Sequence, residues 1–250
     1  MEAYSGFAQV YDRFMDNVPY EEWGEWLVRK LNHRGIVNGL VLDLACGTGK
    51  LTQILAENGY DMTGIDRSEE MLAIAQNQRD SQGILYLCQD MCEFELYGTV
   101  KAIVSVCDSV NYILELEDLT KMFRLVNNYL DPGGLFVFDM NTEYKYRNLL
   151  GDRSFSENRE DCSFIWDNFY DEQERLNQYD LTLFVQEEGA LFRRLEETHL
   201  QRAYSLDEIT QAVTDSGLIL EEIYSGYSDE AITEESERYV FFLRENGKEK

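Results

Sequence analysis

The stretch LVLDLACGTG, residues 40–49, joins a short apolar run to a glycine-rich turn and decides the fold. The apolar run predicts a buried strand, and the residues after it predict a helix whose first N–H groups are free. Gly47 and Gly49 permit positive φ and a close approach of the backbone to a ligand. A dinucleotide-binding turn needs a third glycine, which is missing here, and the Asp43 carboxylate would repel a pyrophosphate. The turn therefore favours a cationic or hydroxyl-bearing ligand.

Strands and helices alternate around this stretch. The first 35 residues have helical spacing, and helical segments separate a series of short apolar runs further along. These runs predict strands at residues 40–45, 61–66, 84–90, 101–108 and 135–141. Such an order predicts an α/β fold, a parallel sheet with helices on both faces. Ligands of these sheets bind at the carboxyl ends of the strands.

The pattern changes after residue 150. Three runs of alternating hydrophobicity, joined by acidic turns, predict an antiparallel meander of three strands at 163–170, 177–185 and 191–200. Ser205 and Glu208 then form the capping box of a helix, and two further strands follow it. We therefore expect one domain formed by residues 1–150 and 205–250, interrupted by an inserted lid at residues 151–204.

Charge and composition exclude several classes of function. The 250 residues include 48 acids and 22 bases, a formal net charge of -26, so the surface repels nucleic-acid phosphates and anionic membranes. No apolar run approaches the ~20 residues of a membrane span. The five cysteines lack a CxxC pair and there are only two histidines, which predicts no metal site and a reduced, cytoplasmic protein.

The motif LDLACGTG resembles the signature of the class I S-adenosylmethionine-dependent methyltransferases. The N-terminal FAQVYD, the later VCDSVNY and the three-strand insertion are similar to a branch of bacterial small-molecule methyltransferases. The resemblance implies a Rossmann-like sheet, S-adenosyl-L-methionine as cofactor, and methyl transfer to a small-molecule acceptor by in-line displacement. Such a transfer mainly needs alignment and exclusion of water, and the sequence has no catalytic triad.

The resemblance also implies roles for acids that end successive strands. Asp43 would hold the methionine ammonium, Asp66 both ribose hydroxyls, and Asp90 the adenine amino group. Tyr11 would close over the cofactor, with Tyr4 as a weaker candidate. Asp43 or Asp66 alone could instead cap the helix that follows it. The full set of expected cofactor contacts is Tyr11, Asp43, Ala45, Cys46, Gly47, Gly49, Asp66, Arg67, Asp90, Met91, Cys107, Asp108 and Asn111.

The loops bear on the acceptor. The segment after Cys107 lacks the Pro-Pro motif of enzymes that methylate exocyclic amines, and Cys107 lacks the proline that accompanies cytosine C5 chemistry. Asp139 and Asn141 offer too few ligands for a magnesium site. His199 and Tyr112 are the candidate catalytic residues, although a structural role for His199 stays open. The candidate substrate contacts are Trp166, Tyr170, Arg202 and Tyr204.

Other functions remain open at this point. The chain could methylate a protein or tRNA, although no basic patch is evident. It could be a regulatory protein that binds the cofactor without catalysis. A nicotinamide oxidoreductase is a poor alternative, because the third glycine is missing. The protein could be a monomer or a homodimer.

Overall fold

The residues described by the computed structural model, 8–78 and 83–248, form a seven-stranded central sheet and a four-stranded second sheet. Tyr4 lies outside these residues. The first half of the chain contains α1 (Ala8–Phe14), α2 (Tyr20–His33), β1 (Gly39–Leu44), α3 (Lys50–Glu57), β2 (Tyr60–Asp66), α4 (Glu69–Asn77), β3 (Leu85–Cys88), β4 (Val100–Ser105), α5 (Leu116–Tyr129) and β5 (Leu130–Asn141). The second half contains β6 (Ser154–Asn158), β7 (Cys162–Asp171), β8 (Leu176–Gln186), β9 (Phe192–Arg202), α6 (Leu206–Ser216), β10 (Ile219–Ser225) and β11 (Arg238–Arg244).

The central sheet has the strand order β10-β11-β5-β4-β1-β2-β3. β1 pairs in parallel with both β2 and β4, so the chain changes direction across the sheet at β1. After the second sheet, β10 and β11 return the chain to this sheet, where β11 pairs antiparallel with β5. A crevice opens at such a reversal, outside the carboxyl ends of the strands. The glycine turn that follows β1 lies at this point.

Apolar residues cover both faces of the central sheet. Side chains alternate along a strand, so Val41 and Leu42 point to opposite faces, and both are fully buried. Val41 belongs to the cluster formed with α2 and α3, whereas Leu42 belongs to the cluster formed with α5 and α6. The same alternation turns Asp43 toward α3 on the side of Val41. Burial on both faces explains why these strands read as continuous apolar runs.

The second sheet has the order β6-β7-β8-β9, one strand more than the predicted meander. The extra strand β6 is short, SFSEN, and has too little apolar character to be recognised from its sequence. The register pairs Phe164 with Leu183 and Trp166 with Leu181, so these four apolar side chains share one face of the sheet. That face packs on α1 through Val10 and Phe14.

The predicted helix after the second sheet is confirmed. Ser205 and Glu208 form a capping box at the start of α6, and Gly217 ends the helix with φ 82°. None of the helices in residues 8–78 and 83–248 combines the length and the apolar character needed to cross a membrane.

Candidate functional site

The glycine turn after β1 has a left-handed backbone. Ala45, Gly47 and Gly49 have φ of 63°, 54° and 76°. A Cβ at Gly47 would meet no described atom within 4 Å, whereas a Cβ at Gly49 would lie 2.5 Å from the Tyr86 hydroxyl. Gly47 therefore leaves space beside the turn, and Gly49 permits the close approach of the Tyr86 side chain.

A cavity of about 550 Å³ opens beside this turn, at the carboxyl ends of β1, β2, β3 and β4. Its size lies within the range of small-molecule sites. Most of the residues expected at the cofactor line it, and so does one of the two candidate catalytic residues. They are Tyr11, Asp43, Ala45, Cys46, Gly47, Asp66, Arg67, Asp90, Met91, Cys107 and Tyr112.

Asp43 is a buried carboxylate in the wall of this cavity, 1% exposed. Its Oδ2 accepts a hydrogen bond from Thr52 Oγ1 at 2.6 Å, while Oδ1 has no partner among the described residues. Burial raises the pKa of Asp43 to about 7, with a further contribution from the Asp66 carboxylate and an opposing one from Thr52. An open acceptor in a buried position calls for a ligand that brings a donor, and a cationic donor matches it best.

Asp66 ends β2 and holds the glycine turn. Its Oδ2 accepts from the Gly47 N–H and its Oδ1 from the Ser68 N–H, each at 2.9 Å. Burial raises the pKa of Asp66, and these two N–H donors oppose the rise. After β3, Asp90 accepts from the Cys92 N–H at 2.7 Å. A carboxylate has about four acceptor directions, so both groups keep capacity for a ligand.

The loop after β4 is held by a buried ion-pair network. Cys107 and Asp108 have left-handed φ of 59° and 52°, and the Asp139 carboxylate accepts both of their N–H groups, at 3.2 and 2.6 Å. Arg238 lies 2.7 Å from Asp108 Oδ1 and 2.8 Å from Asp139 Oδ1. Asp139 also accepts from the Tyr227 hydroxyl. Through these contacts the Asp139 carboxylate stabilises the protein interior.

Two expected cofactor residues on that loop are placed elsewhere. Asp108 is absent from the cavity lining, because its oxygens accept from Arg238 and from Gln201 Nε2 at 2.7 Å. Asn111 is fully buried and donates to the Asn141 and Arg202 carbonyl oxygens, at 3.2 and 2.8 Å. Both side chains connect elements of the protein rather than line the cavity.

The four expected substrate contacts are also absent from the cavity lining. Arg202 donates to the Leu114 carbonyl oxygen at 2.8 Å and pairs with Glu208 at 3.0 Å. Tyr204 donates to the Ile113 carbonyl oxygen at 2.6 Å. Trp166 packs against other rings of the second sheet, and Tyr170 stacks with Tyr146. Arg202 and Tyr204 therefore attach the end of β9 to the segment that follows β4.

The candidate catalytic residues meet each other. Tyr112 follows β4 and lines the cavity, whereas His199 is 2% exposed on β9 and does not. The Tyr112 hydroxyl lies 3.1 Å from His199 Nδ1, and His199 Nε2 lies 3.2 Å from a Glu197 carboxylate oxygen. Tyr112 therefore connects the cavity wall to the second sheet.

Some lining residues escaped prediction from the sequence. The hydroxyl of Tyr20, at the start of α2, accepts from the Cys107 thiol at 3.3 Å. Thr48, between the two glycines of the motif, donates to Asp12 Oδ1 at 2.6 Å and attaches α1 to the turn. Thr48 could have been predicted to line the cavity, because it lies within the glycine motif. Tyr20 offered no such signal, because its contact spans 87 residues.

Comparisons with known proteins agree with this arrangement. A family model described as a methyltransferase domain matches residues 41–134. YqeM of Bacillus subtilis, which carries a methyltransferase name, is 38% identical over 240 residues that cover 95% of each chain. The crystal structure of an S-adenosylmethionine-dependent methyltransferase from Clostridium acetobutylicum is 31% identical, with a TM-score of 0.88 over 98% of this chain and 100% of that one.

The chain belongs to the class I S-adenosylmethionine-dependent methyltransferases.

The site of this methyltransferase suits the cofactor of its family, S-adenosyl-L-methionine. The open Asp43 Oδ1 matches an ammonium donor, and the free space beside Gly47 admits a ligand against the backbone. Another relative, from Geobacillus sp. (strain WCH70), is 35% identical over 243 residues and also carries a methyltransferase name. The family and its fold are thus in agreement with the chemistry of the cavity.

Proposed function

We propose that this methyltransferase acts on a small organic acceptor whose nucleophile carries a proton, bound in the cavity beside Tyr112. The observation that carries the proposal is the position of Tyr112, which lines the cavity and also contacts residues of the second sheet. A cavity of about 550 Å³ at the carboxyl ends of the central strands suits a small molecule better than a polymer. The net charge of -26 weighs against an RNA acceptor.

We assign the cofactor contacts by the chemistry of each side chain. Asp43 would hold the methionine ammonium, because its open Oδ1 needs a cationic donor. Asp66 would accept from the ribose hydroxyls, and Asp90 from the adenine amino group. Gly47 would leave room for the methionine part, and Tyr11 on α1 would cover it.

The chain's own contribution is position and exclusion of water. The bound cofactor supplies a methyl group on a positively charged sulfur, which is already an activated leaving group. The residues of the cavity hold the acceptor in line with that methyl group. Burial raises the pKa of the Cys107 thiol, so it stays neutral at neutral pH and packs in the wall rather than acting as a nucleophile.

Structural neighbours are compatible with this size of acceptor. The sugar N-methyltransferase KedS8 from Streptoalloteichus and the amino pentose methyltransferase CalS10 have TM-scores of 0.76, at 19% and 16% identity. At this identity the likeness concerns the fold alone. It supports the proposal only in that the same fold serves small acceptors in those proteins.

The proposal is tested by methyl transfer to a panel of acceptors. Amines, carboxylic acids and phenols are incubated with the protein and isotopically labelled S-adenosylmethionine, beside arms that contain tRNA or denatured cell protein. We expect labelled product in the small-molecule arm, and none with Gly47→Val, whose side chain fills the space beside the turn. Label confined to tRNA or protein would contradict the proposal. Calorimetric binding of S-adenosylhomocysteine without any transfer would instead indicate a regulatory protein.

A further inference from the structure

Three side chains form a connected line from the protein interior to the cavity. Glu197 and His199 are on the same face of β9, and both are buried, at 7% and 2% exposed. Tyr112 ends the short helical turn Ser109–Tyr112 after β4 and lines the cavity. The ring of Tyr179 stacks on the imidazole at 4.8 Å between centroids, and the Tyr112 ring meets it edge-on at 5.9 Å. Packing therefore fixes the orientation of the imidazole.

The direction of the hydrogen bonds follows from the chemistry of the groups. A carboxylate can only accept, so the contact of 3.2 Å between His199 Nε2 and Glu197 requires the proton on Nε2. In a neutral imidazole, Nδ1 is then an acceptor. The contact of 3.1 Å between Nδ1 and the Tyr112 hydroxyl therefore has Tyr112 as donor. The Tyr112 hydroxyl also contacts the Tyr179 hydroxyl, so with its own proton directed to His199 it accepts from Tyr179. A phenolic oxygen can accept a second hydrogen bond, and the residue that bears it lines the cavity.

We propose that Glu197, His199 and Tyr112 form a proton relay that removes the proton from the methyl acceptor. The relay rests on the proposed function, because it needs an acceptor beside Tyr112. Tyr112 is the catalytic residue, and His199 and Glu197 act through it as positioning residues. The relay also narrows the acceptor to a hydroxyl or amine that loses a proton on methylation. Tertiary amines and thioethers have no such proton to lose.

The step balances in protons and electrons. The acceptor's nucleophilic atom forms a bond to the methyl carbon, and the carbon–sulfur bond breaks with its electron pair going to sulfur. The acceptor's proton passes to the Tyr112 oxygen while the Tyr112 hydroxyl proton passes to His199 Nδ1. The result is methylated acceptor, neutral Tyr112 and an imidazolium. Glu197 compensates the new positive charge, which would be costly in a buried position without a partner.

The first test needs no acceptor. The chain has two histidines, so His33→Gln leaves His199 as the only imidazole in a ¹⁵N spectrum. We expect the tautomer with its proton on Nε2. Tyr112→Phe should shift the Nδ1 resonance, and Glu197→Gln should shift the Nε2 resonance. A proton on Nδ1, or an Nδ1 resonance that is the same with and without the Tyr112 hydroxyl, would overturn the relay.

The second test uses the acceptor that the panel identifies. Tyr112→Phe should lower kcat by about 10²–10⁴, the usual contribution of a general base, while calorimetric binding of S-adenosylhomocysteine stays unchanged. Tyr129→Phe is the matched control, because Tyr129 packs against Phe94 outside the cavity lining and should keep full activity. Glu197→Gln should lower kcat more than it changes KM.

The two proposals can fail separately. Wild-type kcat in Tyr112→Phe would remove the relay and leave the small-molecule function standing. A panel without any methylated small molecule would contradict the proposed function. The ¹⁵N spectrum would still decide whether Tyr112 donates to His199, because it requires neither cofactor nor acceptor.

Discussion

Asp43 combines features that a residue kept only for stability would not have. It is fully enclosed, one of its oxygens has no partner among the described residues, and burial raises its pKa to about 7. An unpaired buried acceptor destabilises a protein. The arrangement becomes favourable once a cationic donor occupies the cavity. At the scale of single residues, the folded protein is therefore less stable when no ligand occupies the site beside Asp43.

Asp43→Asn should separate binding from stability. The amide keeps the shape and can still accept from Thr52, but it presents N–H groups where Oδ1 would meet an ammonium. We expect affinity for S-adenosylhomocysteine to fall by at least about tenfold, near 1.4 kcal/mol. Calorimetry measures the loss. A variant that binds as tightly as the wild type would remove Asp43 from the ammonium site.

The same variant should be the more stable protein at neutral pH without cofactor. The pKa of Asp43 is about 7 in the folded state and ~3.9 in the unfolded chain, so the folded state binds the proton more tightly. The stabilisation that this provides is complete below pH ~4 and is lost as the pH rises to about 7. Asp43→Asn has no carboxyl group to ionise at this position. Its free energy of unfolding in urea at pH 8 should therefore exceed that of the wild type by roughly 2–4 kcal/mol. Equal stability of the two proteins at pH 8 would contradict the burial argument.

At the scale of elements, α1 connects the cofactor site to the second sheet. A helix of seven residues is not stable alone in water, so its contacts must hold it. Asp12 accepts from Thr48 on the glycine turn, and Phe14 packs edge-on against Phe164 of β7 at 4.9 Å. Arg13 pairs with Asp161 on the same side. Because Tyr11 lines the cavity, docking of α1 decides whether the cavity is covered.

Phe14→Ala should loosen this cover without unfolding the central sheet. A buried phenylalanine contributes ~3–5 kcal/mol to packing, but a short helix can undock locally and limit the global loss. We expect affinity for S-adenosylhomocysteine to fall by about tenfold or more, with little change in the urea midpoint. Phe169→Ala, on the exposed side of β7, is the matched control and should bind normally. Unchanged affinity in Phe14→Ala would show that α1 does not cover the cofactor.

At the scale of the whole molecule, a buried network joins the two sheets. Arg238 on β11 pairs with Asp139 on β5 and with Asp108 after β4. Gln201 on β9 donates to Asp108, so the second sheet is attached to the same group. Burial alone would raise the pKa of Asp108, but the positive charges of Arg238 and Lys145 hold it below its usual range. The network supports the left-handed loop at Cys107.

Arg238→Met should destabilise the protein strongly, because it leaves buried carboxylates without their cation. We expect a loss of about 3–5 kcal/mol in urea unfolding at pH 7. The pKa of Asp108 is lower in the folded protein than in the unfolded chain, where it is ~3.9, so Asp108 stabilises the fold at pH values above ~3.9. This stabilisation is lost as the pH falls through the pKa of the folded state. The difference between variant and wild type should therefore shrink toward pH 3.

Arg244→Met is the matched control for this variant. Arg244 is on the same strand, and its ion pair with Glu221 is more exposed to solvent. Solvent-exposed pairs contribute about 0–1 kcal/mol, so this variant should unfold close to the wild type. Equal losses in Arg238→Met and Arg244→Met would mean that the buried network contributes no more than a surface pair.

The sequence by itself determined the parts of the protein that depend on neighbouring residues. Apolar runs, glycines and caps are local signals, so the alternation of strands and helices in the central sheet, the glycine turn and the capping box of α6 could all be predicted. Asp43, Asp66 and Asp90 could be placed in one crevice because parallel strands end at the same edge of a sheet.

Only the tertiary structure decided which side chains face the cavity. Asp108 and Asn111 follow a strand in the expected way, but partners about 90 to 130 residues away turn them into the interior. Tyr20 reaches the cavity wall through a contact of similar sequence separation. Residues of β6 form a strand because they pair with the edge of β7. The pairing of Tyr112 with His199 joins positions 87 residues apart. Such contacts form when the two sheets pack, and no local pattern of residues specifies them.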